Sequence, residues 1–532
     1  MPSSRTTCAG AVQTASFART CGNRAVLPQT DAVRRRLPAV LLASLVLATA
    51  CSSSEPRADT APSTSASPTP SPTPPEPVAL DWQPCEAGFD CATLPVRLDA
   101  DDPDAGSIDL AVTRRAAAGP GQRIGSLVVN PGGPGASAVE YLQAAWQQVP
   151  EAVRAQFDLV AVDPRGVGRS APVRCLETAQ LDEYFSLDPD PDDAAELQAL
   201  EEGNQRLVDG CAAKSGDVLP HVSTDEAARD LDLLRASLGD PGLTYLGYSY
   251  GTSIGAAYLE QFPDRVRAMV LDGGIDPTLS WDQLLAGQST GFDTALGAFL
   301  TDCEQTRCAF RRAVEGELGA AYDALEARVE QEPLPGDSTR TVGPGEFSLG
   351  VGAGLYSRAN GWPAIARGLA EAQRGDGATL LALSDSYLDR DEDGYANVSE
   401  ANLAVNCIDR PWPREAAPYL ALADRVGATA PRFGRAIALS GMACAVWPAP
   451  VVGEPGPVTA PGAPPVLVVG TTRDPATPYV WSQELADQLE SGVLLTYDGD
   501  GHTVYRAGAP SCVRDAVDAY LLTATAPPPT TC

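Results

Sequence analysis

Short unbroken apolar runs recur along the chain, at 108–112, 126–129, 159–162, 243–246, 269–271, 466–469 and 493–497. Runs that are continuous rather than alternating suit strands buried on both faces, as in a parallel sheet between helices. Between them apolar residues fall three and four apart. In the stretch 225–238, Ala227, Leu231, Leu234 and Leu238 share one face, Ser223 and Glu226 read as a capping box, and Gly239 closes the turn. The alternation predicts an α/β fold, a mostly parallel sheet flanked by helices. The rhythm breaks at about 276 and resumes at about 464. Helical patterns fill the gap, at 294–300, 316–330, 364–372, 378–388 and 416–426. A mainly helical insertion at 277–463, between core segments 80–276 and 464–532, predicts a cap over one end of the sheet.

The first fifty residues stand apart from that pattern. Arg34, Arg35 and Arg36 precede an apolar run at 37–47 and the small residues Ala48, Thr49 and Ala50. This is the grammar of a secretory signal, residues 1–50, with an apolar run too short to span a membrane. The next methionine after Met1 is Met269, so the long prelude points to translation starting near Val33. Cys51 follows the cleavage site and resembles the lipid-accepting cysteine of bacterial lipoproteins. Residues 51–79, rich in Ser, Thr and Pro, read as an extended tether. The expectation is an exported protein, anchored by lipid to the outer face of the cell membrane.

Charge and cysteines narrow the class. A formal net charge of −31 over 532 residues argues against nucleic acid and against direct binding to anionic lipid, leaving the anchor as the membrane contact. A monomer is expected. Beyond the signal and Cys51 stand Cys85, Cys91, Cys175, Cys211, Cys303, Cys308, Cys407, Cys444, Cys512 and Cys532. An even number in an exported chain implies disulfides. The spacing suggests pairing between sequence neighbours, Cys85–Cys91 and Cys303–Cys308 first among them.

The chemistry centres on Gly247-Tyr248-Ser249-Tyr250-Gly251, a G-x-S-x-G turn between the run 243–246 and a helical pattern from Thr252 to Phe262, closed by Pro263. A serine hydroxyl needs a base, and the chain has two histidines, His221 and His502. The order Ser, acid, His of α/β-hydrolases selects His502, after the run 493–497, and leaves His221 a structural role. Asp474, just beyond the run 466–469, is the acid expected to orient the imidazole, with Asp409 and Asp500 as competitors. Asn130-Pro131-Gly132-Gly133-Pro134-Gly135 follows the run 126–129 where an oxyanion loop belongs. The N–H groups of Gly133 and Tyr250 are the expected oxyanion donors. In Asp163-Pro164-Arg165-Gly166 the polar residues read as loop braces.

With these residues in place the chain resembles the secreted tripeptidyl aminopeptidases of actinobacteria, in the prolyl-aminopeptidase-like branch of the α/β-hydrolases. The matching stretches are 130–135, 163–170, 247–252, 271–273, 470–478 and 501–502, with Cys407-Ile408-Asp409 in the cap. The resemblance, from about Trp82 to Cys512, implies the α/β-hydrolase fold and a serine exopeptidase that cuts short peptides from a free N-terminus, with no required cofactor. Some relatives are described as envelope esterases or proteases. An aminopeptidase needs an acidic partner for the substrate ammonium, and Asp409 is the candidate. A carboxylesterase or lipase with the same triad is the alternative reading, and a non-catalytic binding protein on the same scaffold a third. Outside this logic, Asp389, Asp391, Asp393, Tyr395, Asn397 and Glu400 fit the spacing of a calcium loop, which would order the cap structurally.

Overall fold

The computed structural model describes residues 76–532, apart from 87, 103 and 120. The signal, Cys51 and the tether up to residue 75 lie outside the described residues. The main sheet has ten strands among the described residues: β1 Gln83–Pro84, β2 Asp90–Arg97, β3 Ser107–Arg115, β4 Gly125–Asn130, β5 Phe157–Val162, β6 Leu243–Tyr248, β7 Val266–Asp272, β8 Val466–Arg473, β9 Gly492–Asp500 and β10 Thr530–Thr531. Their order across the sheet is β1-β2-β3-β5-β4-β6-β7-β8-β9-β10. From β5 to β10 every pairing is parallel. This is the α/β-hydrolase fold.

The apolar runs become strands because both faces of the sheet are covered. Val128, Val160, Tyr245, Met269 and Val468 join one apolar cluster, while their neighbours Leu127, Leu159, Leu246, Val270 and Leu467 join the other. The run 108–112 departs from the expectation. It lies in β3, which pairs antiparallel with both β2 and β5. β2 itself has no apolar run and carries Pro95, tolerated because β1 pairs only with Cys91 and Asp90.

The stretch between β7 and β8 is mainly helical, beginning with the long helix Trp281–Thr306. The five expected helical patterns are all found, in Trp281–Thr306, Leu318–Gln331, Gly361–Ala372, Ala378–Leu388 and Ala417–Gly427. The insertion has two parts by packing. Leu296, Phe299, Phe347, Trp362, Leu369 and Leu380 form a core of their own. Ala404, Cys407, Tyr419, Met442 and Cys444 instead join a cluster shared with the sheet.

Sequence neighbours pair in all five disulfides among the described residues: Cys85–Cys91, Cys175–Cys211, Cys303–Cys308, Cys407–Cys444 and Cys512–Cys532. Such bonds persist in an oxidising compartment, as befits an exported chain. No helix among the described residues is long and apolar enough to cross a membrane.

Candidate active site

Ser249 stands between β6 and the helix Gly251–Gln261 with φ of +54°, the left-handed conformation that an exposed nucleophile turn requires of a non-glycine residue. Its N–H donates to the carbonyl of Asp272 at 2.8 Å. Its own carbonyl accepts from the Thr252 N–H and hydroxyl, at 2.8 and 2.6 Å. The strained turn is thus held on both sides.

The loop after β4 packs directly on that turn. A Cβ added to Gly132 (φ +96°) would lie 2.4 Å from the Tyr248 carbonyl oxygen and 3.0 Å from Ser249 Cβ, so only glycine fits. The Gly132 N–H turns away to Asn130 Oδ1 at 2.9 Å. Among the described residues the N–H groups of Gly133 and Tyr250 have no acceptor. Both remain available for a developing oxyanion, as the loop's glycines and the helix N-terminus suggest.

His502 follows β9, its side chain largely buried, with Nδ1 2.8 and 2.9 Å from the two oxygens of Asp474. Asp474 lies just beyond β8 and is fully buried at its side chain. Its Oδ1 also accepts from the N–H groups of Ala476 and Thr477, and Oδ2 from that of Thr503. With Nδ1 committed to the carboxylate, Nε2 is left to take and return a proton. The imidazole edge packs beside Gly273, where an added Cβ would be 3.4 Å from His502 Cε1. Gly273 follows Asp272, whose carbonyl holds Ser249, so serine and imidazole occupy the same end of the sheet.

The competing acids are engaged elsewhere. Asp500 is ion-paired with Arg473 at 2.6 Å and Arg358 at 3.2 Å. Asp409 ends the helix Val398–Asp409 and accepts from the N–H of Thr224 at 3.0 Å and from its hydroxyl. That hydroxyl lies 2.7 Å from the hydroxyl of Tyr250, which joins Asp409 to the residue after Ser249. Burial of its carboxyl pushes Asp409 up to about 6 against the Thr224 hydrogen bonds. His221 lies apart from the Asp474–His502 pair: its backbone carbonyl accepts from Arg165, which also forms a two-pronged pair with Asp230 at 2.8 Å, and its Nδ1 lies 3.9 Å from Asp99. Asp163 braces the adjacent loops through Ser137, Val139 and Arg169. At Ser223 only half of the capping box forms: Ser223 Oγ accepts from Glu226 N–H, while the Glu226 side chain turns to Arg229.

The calcium-loop spacing is realised as a hairpin, Arg390–Asp391 against Gly394–Tyr395, between the expected helices. Its oxygens do not converge. Glu400 Oε1 accepts from the N–H groups of Cys175 and Leu176, and Asn397 bridges Gly166, Gly168 and Val173. The Tyr395 carbonyl accepts from Arg174, a cation already in place. Among the described residues no three of this loop's acids bring ligand atoms within 4.8 Å of one another. Backbone donors from the core, absent from any local spacing rule, compete for the same oxygens.

Three residues near the histidine carry no signal in the local pattern. Thr477 Oγ1 lies 3.4 Å from His502 Nδ1. The Tyr356 carbonyl accepts from His502 N–H at 2.9 Å while its ring meets the imidazole edge-on, centroids 5.0 Å apart. Asp272 is fully buried and accepts from Val504 and Tyr505 N–H at 2.9 and 2.7 Å. Asp272 falls within the matched stretch 271–273, but only a three-dimensional partner reveals what it does.

A strained serine turn, an imidazole held by a buried carboxylate and two free N–H groups define an α/β-hydrolase of the serine type. The chain belongs to the tripeptidyl-aminopeptidase-like family of that fold, as its sequence resemblance implied. A family model described as "TAP-like protein" matches residues 430–532. The chain is 39% identical to "Serine protease Hip1" of Mycobacterium tuberculosis over 481 residues, covering 84% of this chain and 90% of that one. It is 38% identical to "Carboxylesterase B" of Mycobacterium tuberculosis, covering 82% and 85%. To "Tripeptidyl aminopeptidase" of Streptomyces lividans it is 33% identical, covering 84% of each.

Proposed function

We propose that the protein is an exported serine exopeptidase that releases short peptides, tripeptides foremost, from free N-termini. Ser249 attacks the scissile carbonyl, His502 takes its proton and returns it to the leaving amine, and Asp474 holds the imidazole and stabilises its charged form. Gly133 and Tyr250 N–H groups bind the oxyanion. All the groups the reaction needs come from the chain, so no cofactor is invoked. Peptides are the partners, and the insertion at 277–463 acts as the cap that screens them. Export ends, in this reading, with a lipid on Cys51 and the catalytic unit held off the membrane by the tether.

The observation that favours a peptidase over an esterase is Asp409. It is joined to Tyr250 through Thr224, and it has no cationic side chain at ion-pair distance among the described residues. Burial raises its carboxyl to about 6 despite the neighbouring Arg410, and a substrate ammonium at ion-pair distance would hold it charged. A fluorophosphonate probe is expected to label Ser249 in the wild type and not in Ser249→Ala. On that preparation a free-amine tripeptidyl anilide should be hydrolysed with higher kcat/KM than its acetylated form or a simple acyl ester. Ester hydrolysis without peptide hydrolysis would assign the carboxylesterase reading instead. A wild type that is folded and unlabelled would make the chain a binding scaffold.

A further inference from the structure

Two residues at the reaction end of the sheet hold left-handed backbone without being glycine: Ser249 (φ +54°) and Thr503 (φ +57°), the latter next to His502. For a β-branched threonine this is a strained conformation that surrounding bonds must enforce. Three successive N–H groups follow the histidine, and two carboxylates take them. Asp474 accepts from Thr503 at 3.3 Å, and Asp272 accepts from Val504 and Tyr505 at 2.9 and 2.7 Å. Asp272 also gives its backbone carbonyl to the Ser249 N–H at 2.8 Å. One residue therefore touches both strained turns, through two different groups.

We propose that Asp272 is a positioning residue that fixes the His502 turn against the Ser249 turn and sets a second negative charge beside the imidazole. The inference rests on the roles assigned to Ser249 and His502 above. The sheet itself does not need a carboxylate there. The side chain is fully buried, and its Oδ1 has no hydrogen-bond partner. A buried polar oxygen left unpaired is unfavourable, and an apolar side chain at the end of a buried strand would avoid it. What an apolar side chain could not do is hold two N–H groups of the histidine turn. The groups facing the carboxylate are His502 and Asp474, Tyr248 from β6, Tyr141 from the helix Ala138–Ala145, and Tyr505 and Arg506 beyond the histidine. Desolvation moves Asp272 up to about 6, opposed by the Tyr505 and Val504 N–H groups and by His502, and reinforced by Asp474. The anion and the imidazolium thus favour one another.

The test compares wild type with Asp272→Asn on a blocked acyl ester, so that the amino-terminus site does not report, and by fluorophosphonate labelling of Ser249. The variant is expected to lose kcat/KM by about thirtyfold, the value of one charged hydrogen-bonding group, with KM nearly unchanged and labelling slowed in proportion. Losing the anion should also move the acid limb of its pH profile to lower pH, with the melting temperature at pH 8 not reduced. An acid limb and kcat equal to wild type, with only the melting temperature changed, would overturn the proposal. The wild type alone supplies a second test that needs no variant to fold. Its kcat/KM on the ester should fall below about pH 6, as Asp272 takes up a proton and the anion beside the imidazole is lost, and a kcat/KM level from pH 8 to pH 5 refutes the role. A wild type that the probe fails to label contradicts the serine-hydrolase reading rather than this inference.

Discussion

At the scale of residues, Tyr250 is the hinge of the site. Its N–H is the oxyanion donor of the proposed mechanism, and its hydroxyl meets Thr224, which Asp409 holds. Asp409 is partly exposed, with its carboxyl raised to about 6 by burial. The sign of the pH dependence follows. Above pH 6 the carboxylate is charged and binds an ammonium, and below pH 6 it is neutral and does not. KM for a free-amine tripeptidyl anilide should therefore rise as pH falls through about 6, while KM for an acyl ester stays level. Asp409→Asn should raise the first KM by about tenfold, the worth of one exposed-side ion pair with hydrogen bonding, and leave the second within twofold. Equal changes in both would remove Asp409 from the amino-terminus site.

At the scale of elements, the contact that matters is between the insertion and the histidine turn. Tyr356, just after the helix Pro344–Leu355, accepts the His502 N–H and lays its ring against the imidazole. Phe292 and Tyr387 pack on Tyr356 from two other helices, with centroids 5.8 Å away. The insertion thus helps to fix the imidazole that acts as base in the proposed mechanism. An edge-on ring contact contributes about 1 kcal/mol, so Tyr356→Ala should lower kcat/KM by about fivefold, while Tyr356→Phe keeps it. A kcat/KM for Tyr356→Ala equal to wild type would limit the contact to packing. The contact of Tyr356 with His502 joins residues more than a hundred positions apart, and no pattern along the chain announces it. The helices themselves were legible, because each carries its apolar stripe locally. So were β4 to β9, whose continuous runs report burial on both faces. β2 was not, since Leu94 and Val96 alone face the core and Pro95 reads as a breaker.

At the scale of the whole molecule, the pairing of Asp474 with His502 was readable because two histidines leave little choice and chain order decides between them. Asp272 was not readable, because a carboxylate inside a buried strand end acquires its meaning from N–H groups more than two hundred residues away. The calcium spacing could not show that core backbone groups bond Glu400 and Asn397, because a list of oxygens says nothing about which donors reach them first. The molecule as a whole is strongly acidic, and some of its acids are raised by burial: Asp272 and Asp409 to about 6, Glu326 to about 7. Folded-state values above the unfolded ones mean that the native state binds protons more tightly, so stability grows as pH falls through 7 toward 5. The opposite group, such as Asp337, held low by backbone N–H groups and Arg340, loses its contribution only in stronger acid. Thermal unfolding should therefore occur several degrees higher at pH 5.5 than at pH 8. A melting temperature that rises steadily with pH would contradict this balance.

The line from Asp409 through Thr224 to Tyr250 has one more consequence. In the proposed function it ties the place where a peptide's first nitrogen is received to the place where its carbonyl is attacked, through two side chains of fixed length, Thr224 and Tyr250. An extended peptide advances about 3.5 Å per residue, so the gap between the two ends admits a set number of residues and no other. Under the proposed reading the enzyme counts rather than reads: the cut falls at a distance from the free end, whatever side chains stand between. Changing the product would then take a change of ruler, not of pocket.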